Sequence, residues 1–349
     1  MIIVFGAGGF IGTYLVHRLK DEGFSVLSVD VDKMSKAYFE IHDFPYIHLD
    51  ITKGNDFSQL PKENVDTVIH LASMQPANIS EEAYDPKAYI KVNVIGTLNI
   101  LEYCRKVKVN KIIYAISHRN TQGLWGQGKA IKESNGRSIK YTGQYSMFSI
   151  SESAAQDCIE HYGQEFGIKA IIFRLPPVYG YGPHTEIFWQ GKPIKTGFQI
   201  FIENAINCEP IEVWGDCEKG RDIIYVKDVV EAFVCALKSN NAQGIFNITS
   251  GRLITLKQEV ETIVKVFCRE KSRSKIIYRP EKPNFIEPFL YDNTKAKEEL
   301  GWSPRYSFEE MVVDYKKEME SGRFKFLIEK RKQLLRRKGA TFKVETGGK

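Results

Sequence analysis

The first half of the chain alternates short apolar runs with longer stretches whose apolar residues recur every three to four positions. Runs at Ile2–Phe5, Ser25–Val29, Val65–Leu71, Lys111–Ile116 and Lys169–Phe173 read as strands covered on both faces. Helical periodicity fills the gaps at Ile11–Asp21, Tyr89–Arg105 and Ser151–Phe166. Strand and helix in alternation predict an α/β fold with a doubly wound parallel sheet. Five runs are too few for an eight-stranded barrel. From Pro176 the pattern loosens into clustered Pro, Gly and aromatic residues up to Phe198. An amphipathic stretch at Phe198–Asn207 and a strand–helix pair at Asp222–Leu237 follow.

The bulk numbers sharpen this picture modestly. A chain of 349 residues with 43% hydrophobic and 26% charged residues has room for one large or two ordinary domains. No apolar run approaches a membrane span. The N-terminus enters a strand-like run directly, with no basic segment or apolar signal core. The six cysteines (Cys104, Cys158, Cys208, Cys217, Cys235, Cys268) form no C-x-x-C pair. A reducing cytoplasm without disulfides or a zinc site is therefore expected. The net charge of +6 suggests nucleic acid only until it is located. Residues 323–349 carry ten Lys/Arg against two Glu, which leaves the rest near −2. The basic character belongs to a tail, expected to be a solvated or frayed terminal helix, with a basic helix touching an acidic partner or anionic lipid as the alternative, and nucleic acid is not an expected partner.

Candidate chemistry begins at the first strand. Ile2–Phe5 leads into Gly6-Ala7-Gly8-Gly9-Phe10-Ile11-Gly12 and then a helix. Glycines at 6, 9 and 12 suit a tight turn, close approach of backbone N–H groups to a diphosphate, and close helix–strand packing. The helix N-terminus favours the phosphate charge. The second strand ends at Asp30, where a carboxylate accepts ribose hydroxyls and repels a 2′-phosphate, so NAD is expected over NADP.

The spacing G-x-x-G-x-x-G resembles the short-chain dehydrogenase/reductase superfamily. Later segments are similar to its extended branch, the nucleotide-sugar epimerases and dehydratases: Leu49-Asp50-Ile51, His70-Leu71-Ala72, Val92-Asn93-Val94-Ile95-Gly96-Thr97, Arg174-Leu175-Pro176-Pro177-Val178-Tyr179-Gly180, Gly220–Val229 and Asp292–Trp302. The likeness runs in order from residue 1 to about 315. It implies a Rossmann domain over 1–175 with a returning segment near 220–240. A smaller α/β substrate domain would comprise 176–219 and 241–322, followed by the tail at 323–349. It also implies a nucleotide-diphosphate sugar as substrate, and a homodimer built on helices near 89–105 and 145–162. Around NAD it places Gly6, Gly8, Gly9, Phe10, Ile11, Gly12, Asp30, Asp50, Ile51, Leu71, Ala72, Asn93, Tyr145 and Pro176.

The resemblance further implies a Tyr that takes a sugar hydroxyl proton while hydride leaves for the cofactor. A Ser or Thr shares the hydrogen bond, and a Lys four residues after the Tyr stabilises the phenolate. Free Tyr, titrating near ~10, is a poor base at neutral pH. Ser117 and Tyr145 take the first two places, and Ser149 stands where the Lys belongs. Lys129, Lys132 or Lys140 from the preceding loop are candidate substitutes, and the oxidised nicotinamide brings its own positive charge. Tyr-x-x-x-Lys recurs at Tyr278–Lys282 and Tyr291–Lys295, outside the expected place. His118-Arg119 replaces the Asp-Glu pair of the dehydratases, which disfavours elimination. That pair either faces the sugar and its phosphates or lies on a loop surface, and His70 reads as a satisfied strand-end histidine. Arg221 is the expected diphosphate contact, unless it pairs with Asp222 or Asp228. Arg279 is a weaker second contact, and Pro177 removes an amide from the sugar pocket. Residues 183–195 read as a substrate loop or a packed edge. The expected activity is a nucleotide-sugar epimerase working through a transient keto-sugar. Its alternatives are a non-catalytic NAD- and sugar-nucleotide-binding protein, and a dehydratase or reductase on a related sugar.

Overall fold

The computed structural model describes residues 1–76, 85–183, 187–189, 192–269, 273–284 and 286–337. Its centre is a seven-stranded sheet: β1 (Ile2–Phe5), β2 (Val26–Asp30), β3 (Tyr46–His48), β4 (Thr67–His70), β5 (Lys111–Ser117), β6 (Lys169–Leu175) and β7 (Gly244–Asn247). The spatial order is β7-β6-β5-β4-β1-β2-β3 and every pairing is parallel. The direction of winding reverses between β1 and β4, which opens a crevice at the carboxyl ends of these strands.

Alternation along each strand supplies both faces. Ile2 and Val4 join a core with helices α1 (Phe10–Asp21) and α6 (Val226–Lys238). Ile3 and Phe5 join the opposite core with α3 (86–106) and α4 (Ser146–Phe166). Helix α3 starts at Pro86–Tyr89, passes through a π-helical stretch at Ile90–Ile95 and continues as Gly96–Lys106. The remaining helices are α2 (Lys33–Ile41), α5 (Gly197–Asn207), α7 (Leu256–Phe267), α8 (Thr294–Leu300), α9 (Phe308–Ser321) and α10 (Lys325–Arg337).

Two expectations need correction. The segment near 220–240 packs beside α1 as helix α6, while the strand that joins the central sheet is Gly244–Asn247, pairing with β6. Lys111 ties the two together, donating from Nζ to the carbonyls of Ala236, Leu237 and Ser239 at the end of α6, at 2.8, 3.0 and 2.8 Å. These are the carbonyls that a helix end leaves without partners. The tail, expected to be solvated, is anchored at its start. Phe324 is 0% exposed, with ring centroids 5.4, 6.4 and 6.2 Å from those of Tyr14, Tyr38 and Tyr181. Leu327 and Ile328 are also buried, and Arg323 covers the Tyr14 ring at 4.7 Å. An apolar stripe every three to four residues docks a helix even where its other positions are basic. Residues 338–349 of the tail lie outside the described residues.

Candidate active site

A cavity of about 1140 Å³ occupies the crevice. Gly6, Gly8, Gly9, Phe10, Ile11 and Gly12 line one end, with Asp30, Asp50, Ile51, Leu71 and Ala72 beside them. Ser117, His118, Arg119, Tyr145, Pro176 and Pro177 line the other.

The glycine turn is dictated by its surroundings. Gly6 has φ +81°, and a Cβ there would stand 2.6 Å from the Ala72 nitrogen. A Cβ on Gly12 would stand 2.3 Å from the Gly6 carbonyl oxygen. The backbone therefore comes close enough to present N–H groups at the start of α1, where the helix dipole favours a diphosphate. Asp30 Oδ2 accepts from Gly8 N at 2.8 Å and Oδ1 from Asp32 N at 2.9 Å. Burial pushes the Asp30 carboxyl above its usual range, while these amides favour the ionised form. Asp50 is turned onto Thr52, accepting from its N at 3.0 Å and its hydroxyl at 2.8 Å. The cradle, the carboxylate at the end of β2 and the cavity's extent fit a dinucleotide.

Asn93 stands apart from this wall. Its Oδ1 accepts from Met74 N at 2.7 Å, and its Nδ2 donates to Met74 O at 3.0 Å and Ser151 Oγ at 2.9 Å. It does not line the cavity, so the expected cofactor contact is corrected to a clamp between the loop after β4 and helix α4. His70, expected to be a satisfied strand-end histidine, is satisfied at one nitrogen only: Nε2 lies 2.9 Å from Thr97 Oγ1, while Nδ1 is buried without a partner.

At the reactive end, Ser117 closes β5, and Arg119 N donates to Ser117 Oγ at 3.3 Å. The Arg119 guanidinium lies 3.5 Å from the centre of the Tyr145 ring, a cation–π contact. Lys132 approaches Asp292 at 3.9 Å and Lys140 pairs with Glu287 at 3.3 Å; neither they nor Lys129 lines the cavity. Ser149 donates to the Tyr145 carbonyl at 3.0 Å, is 2% exposed, and is likewise absent from the wall. The face of α4 turned to the cavity carries Tyr145, Phe148 and Glu152. Glu152, which sequence reasoning missed, is 4% exposed, and its Oε2 accepts from Ser117 N at 3.0 Å. Burial pushes its carboxyl up to about 8. Helical spacing from Tyr145 was the signal that could have found it. At about 100° per residue from Tyr145, Phe148 and Glu152 fall to one side, at about −60° and −20°, and Ser149 to the other, at about +40°.

His118 sits in an aromatic box, its ring centroid 5.1 Å from Trp125 and 4.9 Å from Phe289. Nδ1 lies 3.1 Å from the Leu175 carbonyl. Burial, then Arg119, lowers its pKa, so it is a neutral part of the wall rather than a loop surface group. Arg221 is not on this wall. Its Nη2 donates to Tyr179 Oη at 2.7 Å, while Nε is buried without a partner. The alternative ion pairs are not formed: Asp222 accepts from Ser250 Oγ and Tyr291 N, and Asp228 from the amides of Arg305 and Tyr306. Arg279 pairs with Glu212 at 3.2 Å, also away from the wall. Of the expected substrate loop, residues 184–186, 190 and 191 lie outside the described residues. Among the described residues no helix is long and apolar enough to cross a membrane, and no His/Cys/Asp/Glu cluster could hold a metal.

Comparison with known proteins places this geometry. The NAD dependent epimerase/dehydratase family matches residues 2–249. UDP-glucose 4-epimerase of Mycolicibacterium smegmatis is 26% identical over 324 residues, covering 89% of this chain and 96% of its own. UDP-glucuronic acid decarboxylase 1 of Arabidopsis thaliana is 27% identical over 327 residues, 90% of this chain and 69% of its own. Among solved structures, UDP-glucose 4-epimerase of Thermotoga maritima with UDP-glucose superposes with TM-score 0.74 at 27% identity, covering 91% of this chain and 99% of that one. The UDP-glucose 4-epimerase of Thermus thermophilus, solved with NAD, gives 0.70 at 25% identity, with 90% and 97% covered. With the family matching well over half its length, the chain belongs to the NAD-dependent epimerase/dehydratase family.

Proposed function

We propose that this protein is an NAD-dependent nucleotide-sugar epimerase that works through a transient keto-sugar, with a UDP-sugar as the first substrate class to try. The observation that carries the reading is a single cavity joining the glycine cradle and Asp30 to Ser117 and Tyr145. Relatives named as UDP-sugar 4-epimerases share nearly the whole chain. NAD held by the glycine cradle and Asp30 would supply the hydride acceptor. Tyr145 takes the sugar hydroxyl proton and Ser117 shares that hydrogen bond. Arg119, stacked on the Tyr145 ring, brings to the reactive end a positive charge that position 149 lacks. Arg221, with its unpartnered Nε, is the proposed diphosphate contact once Tyr179 gives way. The two-domain division given above goes with this reading. So does a homodimer through α3 and α4, which leave Ile90, Ile95 and Phe166 exposed, and a location in the reducing cytoplasm.

Purified protein with NAD is offered UDP-, GDP-, CDP- and dTDP-sugars, and products are separated chromatographically. Interconversion of 4-epimers supports the reading, and Arg119→Gln is expected to slow it ~10²-fold, the scale of one acid–base element. No turnover across the panel would remove the enzymatic reading and leave a sugar-nucleotide-binding protein.

A further inference from the structure

The acid on the cavity wall is unused by the reaction as proposed. Glu152 comes from the face of α4 that also presents Tyr145 and Phe148, and it is held by one backbone donor, the N–H of Ser117. A carboxylate buried with a single neutral donor is costly, so the group keeps its proton until a compensating charge arrives.

No such charge is in place. None of the charged and titratable groups on the elements packed around α4 forms an ion pair with Glu152 among the described residues. Lys91, from the π-helical stretch, lines the cavity on the Asp50 side and favours that carboxylate. Arg119 stacks on Tyr145, and His118 is buried and neutral. Tyr114 on β5 is buried, and its ionisation is opposed by both burial and Glu152. Arg174 on β6 donates only Nη1, to Asn247 Oδ1 at 3.2 Å, its Nε and Nη2 being buried without partners; Arg137, before α4, donates to the Ser153 carbonyl at 3.0 Å and pairs with Asp157 at 2.7 Å; and Glu102 and Arg105 pair with each other at 2.8 Å. Among the described residues no ion pair reaches Glu152. Its raised pKa has burial as the first cause and the Ser117 amide as the opposing one.

We propose that Glu152 is a proton-linked positioning residue that reads the oxidation state of the cofactor, giving up its proton when the positively charged oxidised nicotinamide shares the cavity and keeping it when the neutral reduced ring does. The inference rests on the NAD reading above. The diphosphate and the adenosine are common to both oxidation states, so their influence cancels when the two are compared. An opposite charge nearby lowers a carboxyl pKa by ~1–3 units. Starting from about 8, a two-unit fall releases ~0.8 proton per site at pH 7. The physical consequence is a bias. Ionised Glu152 favours the oxidised ring, so the resting protein holds NAD in preference to NADH as pH rises.

The test is calorimetry of NAD and of NADH binding to the purified protein, at pH 7, in two buffers of different ionisation enthalpy. The buffer dependence of the heat counts protons. NAD is expected to release ~0.8 proton per site and NADH close to none, with Glu152→Gln binding both and abolishing the difference. Equal proton counts for NAD and NADH in the unaltered protein would overturn the inference, as would an unchanged difference in a folded Glu152→Gln variant. The comparison within the unaltered protein stands even if the variant does not fold. Absence of heat with either cofactor is a distinct result: the NAD reading itself fails, and this inference with it.

Discussion

Replacing Gly12 by Ala probes the close approach on which cofactor binding depends. The new methyl would lie 2.3 Å from the Gly6 carbonyl oxygen, 2.6 Å from that of Ala7 and 2.8 Å from the Ala7 carbonyl carbon. All three are backbone atoms, so no side chain can swing aside. Restoring an ordinary carbon–oxygen contact of ~3.3 Å requires the turn and helix α1 to separate by ~1 Å. Such overpacking costs ~1–3 kcal/mol, against which Ala returns up to ~1 kcal/mol of helix propensity. A net loss of ~1–2 kcal/mol is expected. Misplacing binding groups by ~1 Å costs on the order of 10²-fold, so NAD affinity should fall ~10–100-fold. Gly197→Ala is the control: that glycine opens α5 with nothing within 4 Å of a Cβ. Thermal unfolding and NAD calorimetry on the two variants read both effects. A Gly12→Ala protein that melts and binds NAD like the unaltered one would refute the reasoning.

Other perturbations test other parts of the structure. Asp30→Ala should weaken NAD ~10-fold or more and strengthen NADP relative to NAD, because the carboxylate that accepts ribose hydroxyls and opposes a 2′-phosphate is gone; paired titrations check this. Ser149→Lys should destabilise rather than restore a missing cation, since position 149 is buried and turned onto the Tyr145 carbonyl; a lowered melting temperature without faster turnover is the expected outcome. Phe324→Ala should cost ~3–5 kcal/mol, the usual loss for a fully buried ring, measured by urea unfolding. Burial holds the His70 imidazole down at about 3. The unfolded chain gains a proton below ~6.5 that the folded one refuses until near that value, so this residue's contribution to stability is present above ~6.5 and shrinks as pH falls toward 3. The slope is ~1.4 kcal/mol per pH unit, and urea melts of His70→Gln across pH 4–7 should show a shallower fall.

The chain's alternating pattern made the central strands readable because both faces of each are buried, so apolar residues run without interruption. The strand Tyr46–His48 escaped notice: it is three residues long, half-buried, and carries a histidine at the sheet edge. Gly244–Asn247 is also short, and only its pairing with β6 identifies it. At the site, the glycine cradle and Asp30 follow from local geometry that sequence spacing encodes. For Glu152 spacing gives only its place on the wall, seven residues after Tyr145; its importance arises from what surrounds it in space, the Ser117 amide and the lack of a partner charge. Arg119 was visible as a residue, but its stacking on Tyr145 depends on how the loop after β5 meets α4.

The return of Gly244–Asn247 to the sheet has a consequence for biosynthesis. A ribosome that has delivered the first 175 residues has made six of the seven strands, yet the outer edge of β6 is still open and its hydrogen-bonding groups have no neighbour. The aromatic seat for Phe324 is likewise vacant until residue 324 has been made. Nascent chains stalled before residue 247 should therefore be the stickiest species in the life of this protein, and the ones most in need of a chaperone's cover.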